Sequence, residues 1–200
     1  MTEKNIASSK WSESHGADES IGYLGMGSVY YALVYALKAK KCVCLGSGGG
    51  FVPKTMYLAQ LTLKSSKIID DFDISLVDAD TGIWGRPDYI NSIPDYPEIK
   101  LIKELTDNAY HQFDNIDYLH VDADHTHDQV YKDLCNYGSR MSKDNWAITV
   151  HDTNNSGAIK SGLPIGCYSA VKQWISENNY DMVNFGIGCG TALILPRVGC

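Results

Sequence analysis

The chain has 200 residues, 44% of them hydrophobic and 20% charged, with a formal net charge of −7. That length suits one domain with a sizeable buried core. The acidic balance, with no basic cluster to offset it, argues against a nucleic-acid partner, and no apolar run approaches a membrane span.

The opening, "MTEKNIASSKWSESHGADES", is polar and lacks the apolar core of a signal peptide, so a cytoplasmic protein is expected. Residues 1–24 read as a mobile or loosely packed lead-in, and 25–200 as the folded domain. "MGSVYYALVYALKAKK" (26–41) carries Val29, Leu33, Ala36 and Leu37 at helical spacing, with lysines at its end as the helix dipole prefers. "CVCLGS" (42–47) is a short buried strand that runs into glycines. "FVPKTMYLAQLTLKSS" (51–66) is helical, with Pro53 in the first turn. Strands follow at 73–80, 99–105, 116–124 and 145–153, with helices at 107–114, 126–141 and 164–178. The stretches 81–98 and 153–163 read as long loops. Two closing strands, 180–186 and 189–195, meet across "GIGCG", a hairpin turn.

Strands alternating with helices predict an α/β fold: a single doubly wound, mostly parallel seven-stranded sheet with a C-terminal antiparallel hairpin. Six cysteines, at 42, 44, 135, 167, 189 and 200, contain no CxxC pair. In a cytosolic chain they are expected to be reduced and structural.

In such sheets ligands bind beyond the carboxyl ends of the strands. The first strand ends in "GSGGG" (46–50), which lets backbone approach a ligand closely. It lacks the lysine and hydroxyl spacing of a Walker loop. It also breaks the dinucleotide pattern GxGxxG, because Phe51 stands where the third glycine belongs. The second strand ends in Asp78 and Asp80; Asp78 is placed to accept from a ribose diol or to cap a turn. The third is followed by Thr106 and Asp107, where Asp107 is a candidate for an adenine amino group and equally for a helix N-cap. The fourth delivers Asp122, Asp124 and His125, and the fifth His151 and Asp152. His125 is the candidate general base. His151 can be read as a ligand or as a structural partner of Asp152. His120 is expected to pack, His127 to be exposed, and His15 and His111 carry no readable signal.

"CVCLGSGGGF", "SLVDAD", "ELTD", "IDYLHVDADH" and "AITVHDT" resemble, in order and spacing, the class I S-adenosylmethionine-dependent methyltransferases. The pair "IDYLHVDADHTHDQVYKDL" and "WAITVHDT" is similar to the branch of metal-dependent sugar and macrolide O-methyltransferases and cephalosporin-hydroxylase-like proteins. The resemblance covers residues 40–195 and implies a Rossmann-like methyltransferase fold. It places Gly46, Ser47, Gly48, Gly50 and Phe51 against the cofactor, Asp78 on its ribose and Asp107 on its adenine edge. Asp122 joins the cofactor-binding set, the metal set and, with His125, the catalytic set. Asp122, Asp124 and Asp152 map to the Mg²⁺ ligands of that branch, with His151 a further candidate. Imidazole ligation tilts the ion toward Mn²⁺, Fe²⁺ or Zn²⁺. Two positions depart from the pattern. Cys44 stands where an acid usually faces the cofactor's amino group, and His151 where a second aspartate is common.

The function implied is O-methylation of a small hydroxylated acceptor, with homo-oligomerisation left open. The competing readings are a metal-dependent hydrolase or oxygenase on the same Asp/His cluster, a non-catalytic cofactor-binding relative, and an NAD-dependent oxidoreductase, which the broken glycine pattern disfavours.

Overall fold

The computed structural model describes residues 6, 7, 9, 12–46, 48–79, 96–154, 159, 160 and 163–197. In chain order the strands are β1 (Lys41–Leu45), β2 (Asp73–Val77), β3 (Ile99–Ile102), β4 (Tyr118–Val121), β5 (Ala147–His151), β6 (Ile159–Lys160), β7 (Leu163–Pro164), β8 (Asp181–Phe185) and β9 (Thr191–Leu195). The helices are α1 (Met26–Leu37), α2 (Phe51–Ser65), α3 (Thr106–Ala109), α4 (His127–Gly138) and α5 (Cys167–Asn178). Seven strands form one sheet in the order β3-β2-β1-β4-β5-β9-β8. β1 to β5 pair in parallel, while β9 runs antiparallel to both β5 and β8. The expected doubly wound sheet with its closing hairpin is therefore what forms.

Strand alternation divides the core in two. Val43, Leu45, Leu119, Val121, Ile148 and Val150 face one core, beneath α4 and α5. Cys42, Cys44, Leu76, Tyr118 and Ala147 face the other, beneath α1 and α2. Cys42, Cys44 and Cys167 are buried. No helix among the described residues is long and apolar enough to cross a membrane.

Several boundaries differ from the sequence reading. β4 ends at Val121, and the amide of Asp122 makes the next ladder bond, to the Leu45 carbonyl at 2.8 Å. The chain then leaves the sheet, so Asp122 and Asp124 lie beyond the strand rather than in it. The third-strand helix is one α-turn continued by a 3-10 turn over Tyr110–Gln112. Within the expected 153–163 loop the chain pairs β6 with β7, which takes Pro164 out of the helix and delays α5 to Cys167.

Part of the described lead-in is packed into the fold. Ile6 and Ala7 are buried in the α1/α2 core, and Ser12–His15 forms a 3-10 turn that buries His15. The closing hairpin holds this turn in place: the amide of Cys189 donates to the Ser14 carbonyl at 2.8 Å. Gly188 makes the approach possible. It has φ +59°, and a Cβ there would sit 2.9 Å from the Gly16 nitrogen and closer still to Ser14.

Candidate active site at the carboxyl edge of the sheet

Three side chains from adjacent strand ends meet. Asp122 follows β4, Asp152 follows β5, and His125 lies in the turn before α4. His125 Nε2 is 3.2 Å from Asp122 Oδ1, and its Nδ1 is 3.0 Å from Asp152 Oδ2. One ligand atom from each of the three lies within 4.8 Å of the others. Asp152 holds a left-handed backbone (φ +59°) while almost fully buried, a conformation that costs a non-glycine residue energy and is concentrated at functional sites. His125 keeps 17% of its side chain exposed, against 2% for Asp152.

A second group lies behind Asp122 on the α1/α2 face. His120, Thr149 and His151 all point to that side by strand alternation, and His15 reaches it from the N-terminal segment. His151 Nδ1 is 3.2 Å from Asp122 Oδ1, and its Nε2 donates to the Ser14 carbonyl at 3.2 Å. The His15 ring stacks on His151 at a centroid distance of 3.9 Å and on Phe51 at 5.0 Å. His15 Nδ1 is 3.0 Å from the Tyr30 hydroxyl, which is 3.1 Å from Thr191 Oγ1. His120 Nδ1 meets Thr149 Oγ1 at 2.8 Å.

The electrostatics centre on Asp122. Burial by itself would raise its pKa, but His151 and His125 outweigh that and hold it well below the usual carboxylate range. Burial likewise opposes the charge on His151, yet the adjoining Asp122 carries its pKa above the ordinary histidine value. His15 and His120 go the other way. Burial, reinforced by His151, pushes His15 well down, and burial takes His120 to about 3 in spite of Asp122.

The glycine turn abuts this cluster. Gly46, Gly48 and Gly50 have φ of +67°, +52° and +80°. A Cβ on Gly46 would collide with the Asp122 carbonyl oxygen and lie 2.7 Å from Ala123 Cα, so the turn and the Asp122 segment pack backbone to backbone. Cys44 donates its thiol to the Gly46 carbonyl at 2.9 Å. Burial pushes that thiol's pKa well up, so the residue props the turn as a neutral group rather than presenting the acid the family pattern expects. Asp78 is partly exposed just beyond β2.

Other expected residues are placed differently. Ser47 and Asp80 lie outside the described residues. Phe51 is buried beneath His15. Asp124 is exposed and takes the Thr126 amide at 2.7 Å, a turn contact that opens α4 and keeps it out of the trio. Asp107 is bonded to Lys132 Nζ at 2.6 Å and to Gln129 Nε2 at 3.1 Å. Burial would raise its pKa; those two bonds bring it down on balance. The sequence reading missed His15 altogether, since nothing near it in the chain marks a residue that reaches Asp122 across the fold.

Beside Asp107, α4 buries Asp133 completely. Gln129 Nε2 donates to its Oδ1 at 3.1 Å, whereas Oδ2 has no hydrogen-bond partner among the described residues. Burial is the main cause that lifts its pKa from 3.8 to about 6. For an acid whose folded pKa is raised, the protonated form favours folding. That stability is fully present below the unfolded value and is lost as pH rises through about 6. Asp133→Asn is therefore expected to stabilise the protein at pH 8 by about 2–3 kcal/mol, with the gain vanishing near pH 4. Urea unfolding at the two pH values measures it, and an equal effect at both would refute the assignment.

A family model described as "Methyltransferase domain" matches residues 43–153, from β1 through the residue after Asp152. The chain belongs to that family. It is accordingly a class I S-adenosylmethionine-dependent methyltransferase. Solved methyltransferases share the fold at low identity. The O-methyltransferase TomG from Streptomyces achromogenes, solved with S-adenosylmethionine, superposes with a TM-score of 0.66 at 11% identity, covering 98% of this chain and 90% of its own. The Bacillus cereus O-methyltransferase, solved with S-adenosylhomocysteine, gives 0.64 at 10% identity and covers 86% and 80%. The Podospora anserina methyltransferase PaMTH1, also with S-adenosylhomocysteine, gives 0.62 at 14% identity and covers 88% and 79%. No curated protein matches the sequence.

Proposed function

We propose that this methyltransferase moves the methyl group of S-adenosylmethionine to a hydroxyl oxygen of a small acceptor, with a divalent cation held by Asp122 and Asp152. The observation that carries this reading is the backbone contact between the glycine turn and Asp122, which sets that turn directly beside a group of two carboxylates and an imidazole. O-Methyltransferases among the structural neighbours lend it support.

The residues fit both groups. Gly46, Gly48 and Gly50 turn the chain with no side chain in the way, and α2 begins directly after Gly50. Asp78 offers its carboxylate to a ribose diol. Asp122 and Asp152 are oxygen donors of the kind Mg²⁺ or Mn²⁺ prefers, with His125 between them. Such a cation, when bound, lowers the pKa of a hydroxyl that joins its shell. Asp152 holds His125 at Nδ1 and so fixes the ring. Nε2, 3.2 Å from Asp122 Oδ1, then takes the acceptor's proton and shares it with Asp122. Much of the rate gain comes from positioning, because the oxygen must approach the methyl carbon in line. Asp124, Asp107 and Phe51 are engaged elsewhere and take no part in this scheme.

Titration calorimetry with S-adenosylmethionine and S-adenosylhomocysteine, with Mg²⁺ and with EDTA, tests the proposal. Micromolar binding of either is expected. No binding of either ligand would end the reading. Once an acceptor has been found, Asp152→Ala should lower kcat by roughly 100-fold or more, since it removes a charged ligand and the residue that orients His125. Undiminished turnover would retire the cation.

A further inference from the structure

The group behind Asp122 holds more histidine than methyl transfer needs. One ring nitrogen each of His15 and His151 and an Asp122 oxygen lie within 4.8 Å of one another; His15 Nε2 is 3.9 Å from Asp122 Oδ2 and His151 Nδ1 is 3.2 Å from Asp122 Oδ1. The other nitrogen of each ring is already committed. His151 Nε2 faces the Ser14 carbonyl, an atom that can only accept, so Nε2 must carry the hydrogen. The Nδ1 lone pair of a neutral His151 then faces a carboxylate oxygen at 3.2 Å, which calls for a cation between them, either a proton or a metal ion. His15 Nδ1 meets the Tyr30 hydroxyl, itself braced on Thr191, and donates to it whenever Nε2 serves as a ligand. Pinning the outer nitrogen to a carbonyl or hydroxyl is how proteins orient metal-ligating histidines. A third imidazole lies close by: the His120 ring is 6.1 Å from that of His15 and 6.4 Å from that of His151. His120 is fully buried, and its Nε2 makes no hydrogen bond among the described residues.

We propose that His15, Asp122 and His151 form a second, nitrogen-rich metal site for a borderline divalent ion such as Zn²⁺ or Co²⁺, with His120 the nearest further ligand. Its donors separate it from the neighbouring trio. Two carboxylates suit Mg²⁺, whereas imidazoles with one carboxylate suit the later transition metals. Asp122 serves both positions: its Oδ1 lies 3.2 Å from His125 Nε2 and from His151 Nδ1, and its Oδ2 is turned toward His15, while Asp152 Oδ1 stands 3.9 Å from His151 Nδ1 at the boundary between the two. The site also gives the N-terminal segment a function, because the ion would tie it to the ends of β4 and β5. The proposal does not depend on methyl transfer.

The full chain, produced in Co²⁺-supplemented minimal medium, is analysed for metal content and visible absorption. About one Co²⁺ per chain with ligand-field bands of low-coordinate, nitrogen-ligated metal is expected. His15→Gln and His151→Gln should lose at least tenfold in occupancy, while Asp152→Asn keeps it. Absence of bound Co²⁺ and Zn²⁺ in the wild-type protein would overturn the site, as would Co²⁺ that depends on Asp152 and not on His15. The wild-type Co²⁺ protein gives a test free of folding effects. Both outer ring nitrogens keep their hydrogens, so its proton spectrum should show two or more exchangeable, paramagnetically shifted imidazole N–H signals. One signal or none would refute the assignment.

Discussion

Gly46→Ala is expected to destabilise the protein by about 3 kcal/mol and to weaken S-adenosylhomocysteine binding at least tenfold. Two costs combine. The residue sits at φ +67°, where an L side chain is strained by about 1 kcal/mol or more. Its new Cβ would also press on the backbone of Asp122 and Ala123, with Ala123 Cα at 2.7 Å. Backbone cannot swing aside as a flexible side chain does, so relief must come from a shift of the Asp122 segment. That shift carries the damage from the cofactor turn into the Asp/His cluster. For a chain of this length the loss corresponds to a melting temperature lower by roughly 6–12 °C. Gly186→Ala is the control. Its Cβ would meet only Asn154 Nδ2, at an ordinary 3.5 Å, and it should melt close to wild type. A Gly46→Ala protein as stable as that control would mean the turn and Asp122 are not in contact.

Asp122→Asn is the second large effect, expected at about 3–5 kcal/mol near pH 6, because it leaves His151 buried without its counter-charge. The pH dependence has a definite sign. Asp122, lowered from 3.8, contributes stability that is present above that value and is lost as pH falls through its lower folded pKa. His151, raised from 6.5, contributes stability that is complete below that value and is lost as pH rises through its higher folded pKa. The pair thus stabilises most between 3.8 and 6.5. The variant should suffer more at pH 6 than at a pH above the raised folded pKa of His151, where a neutral imidazole needs no partner. Denaturant unfolding at those two pH values decides the matter, and a uniform loss would show that the pair is not charged. Asp122→Asn is also expected to remove divalent metal from both positions that share this carboxylate.

The linkage between these results runs through β4. Its hydrophobic residues anchor the strand in two cores, so its end is rigidly placed. Residues just past a rigid end can hold geometry that an exposed loop would not. Asp122 uses that placement three ways, toward the glycine turn, toward His125 and toward His151.

The sequence by itself determined the order and type of the elements, because burial of a strand on both faces demands a run of apolar residues, and a helix demands its own period. It also marked the carboxyl edge, since glycine at Gly46 and acids after β4 and β5 serve no purpose in a core. Cys42 and Cys44 could be assigned to one face by alternation, and they share one. Side-chain partnership was another matter. Asp124 read as a metal ligand and Asp107 as an adenine contact or a helix N-cap; in the fold the Thr126 amide bonds one oxygen of Asp124, and Lys132 with Gln129 bond both oxygens of Asp107. Phe51, which the family resemblance set against the cofactor, has the His15 ring stacked on it. His15 itself lies more than a hundred residues from Asp122 in the chain, and a contact of that kind leaves no local period or spacing to read. Only the tertiary structure, by wedging the N-terminal turn under the closing hairpin, decided that this histidine reaches the centre of the protein.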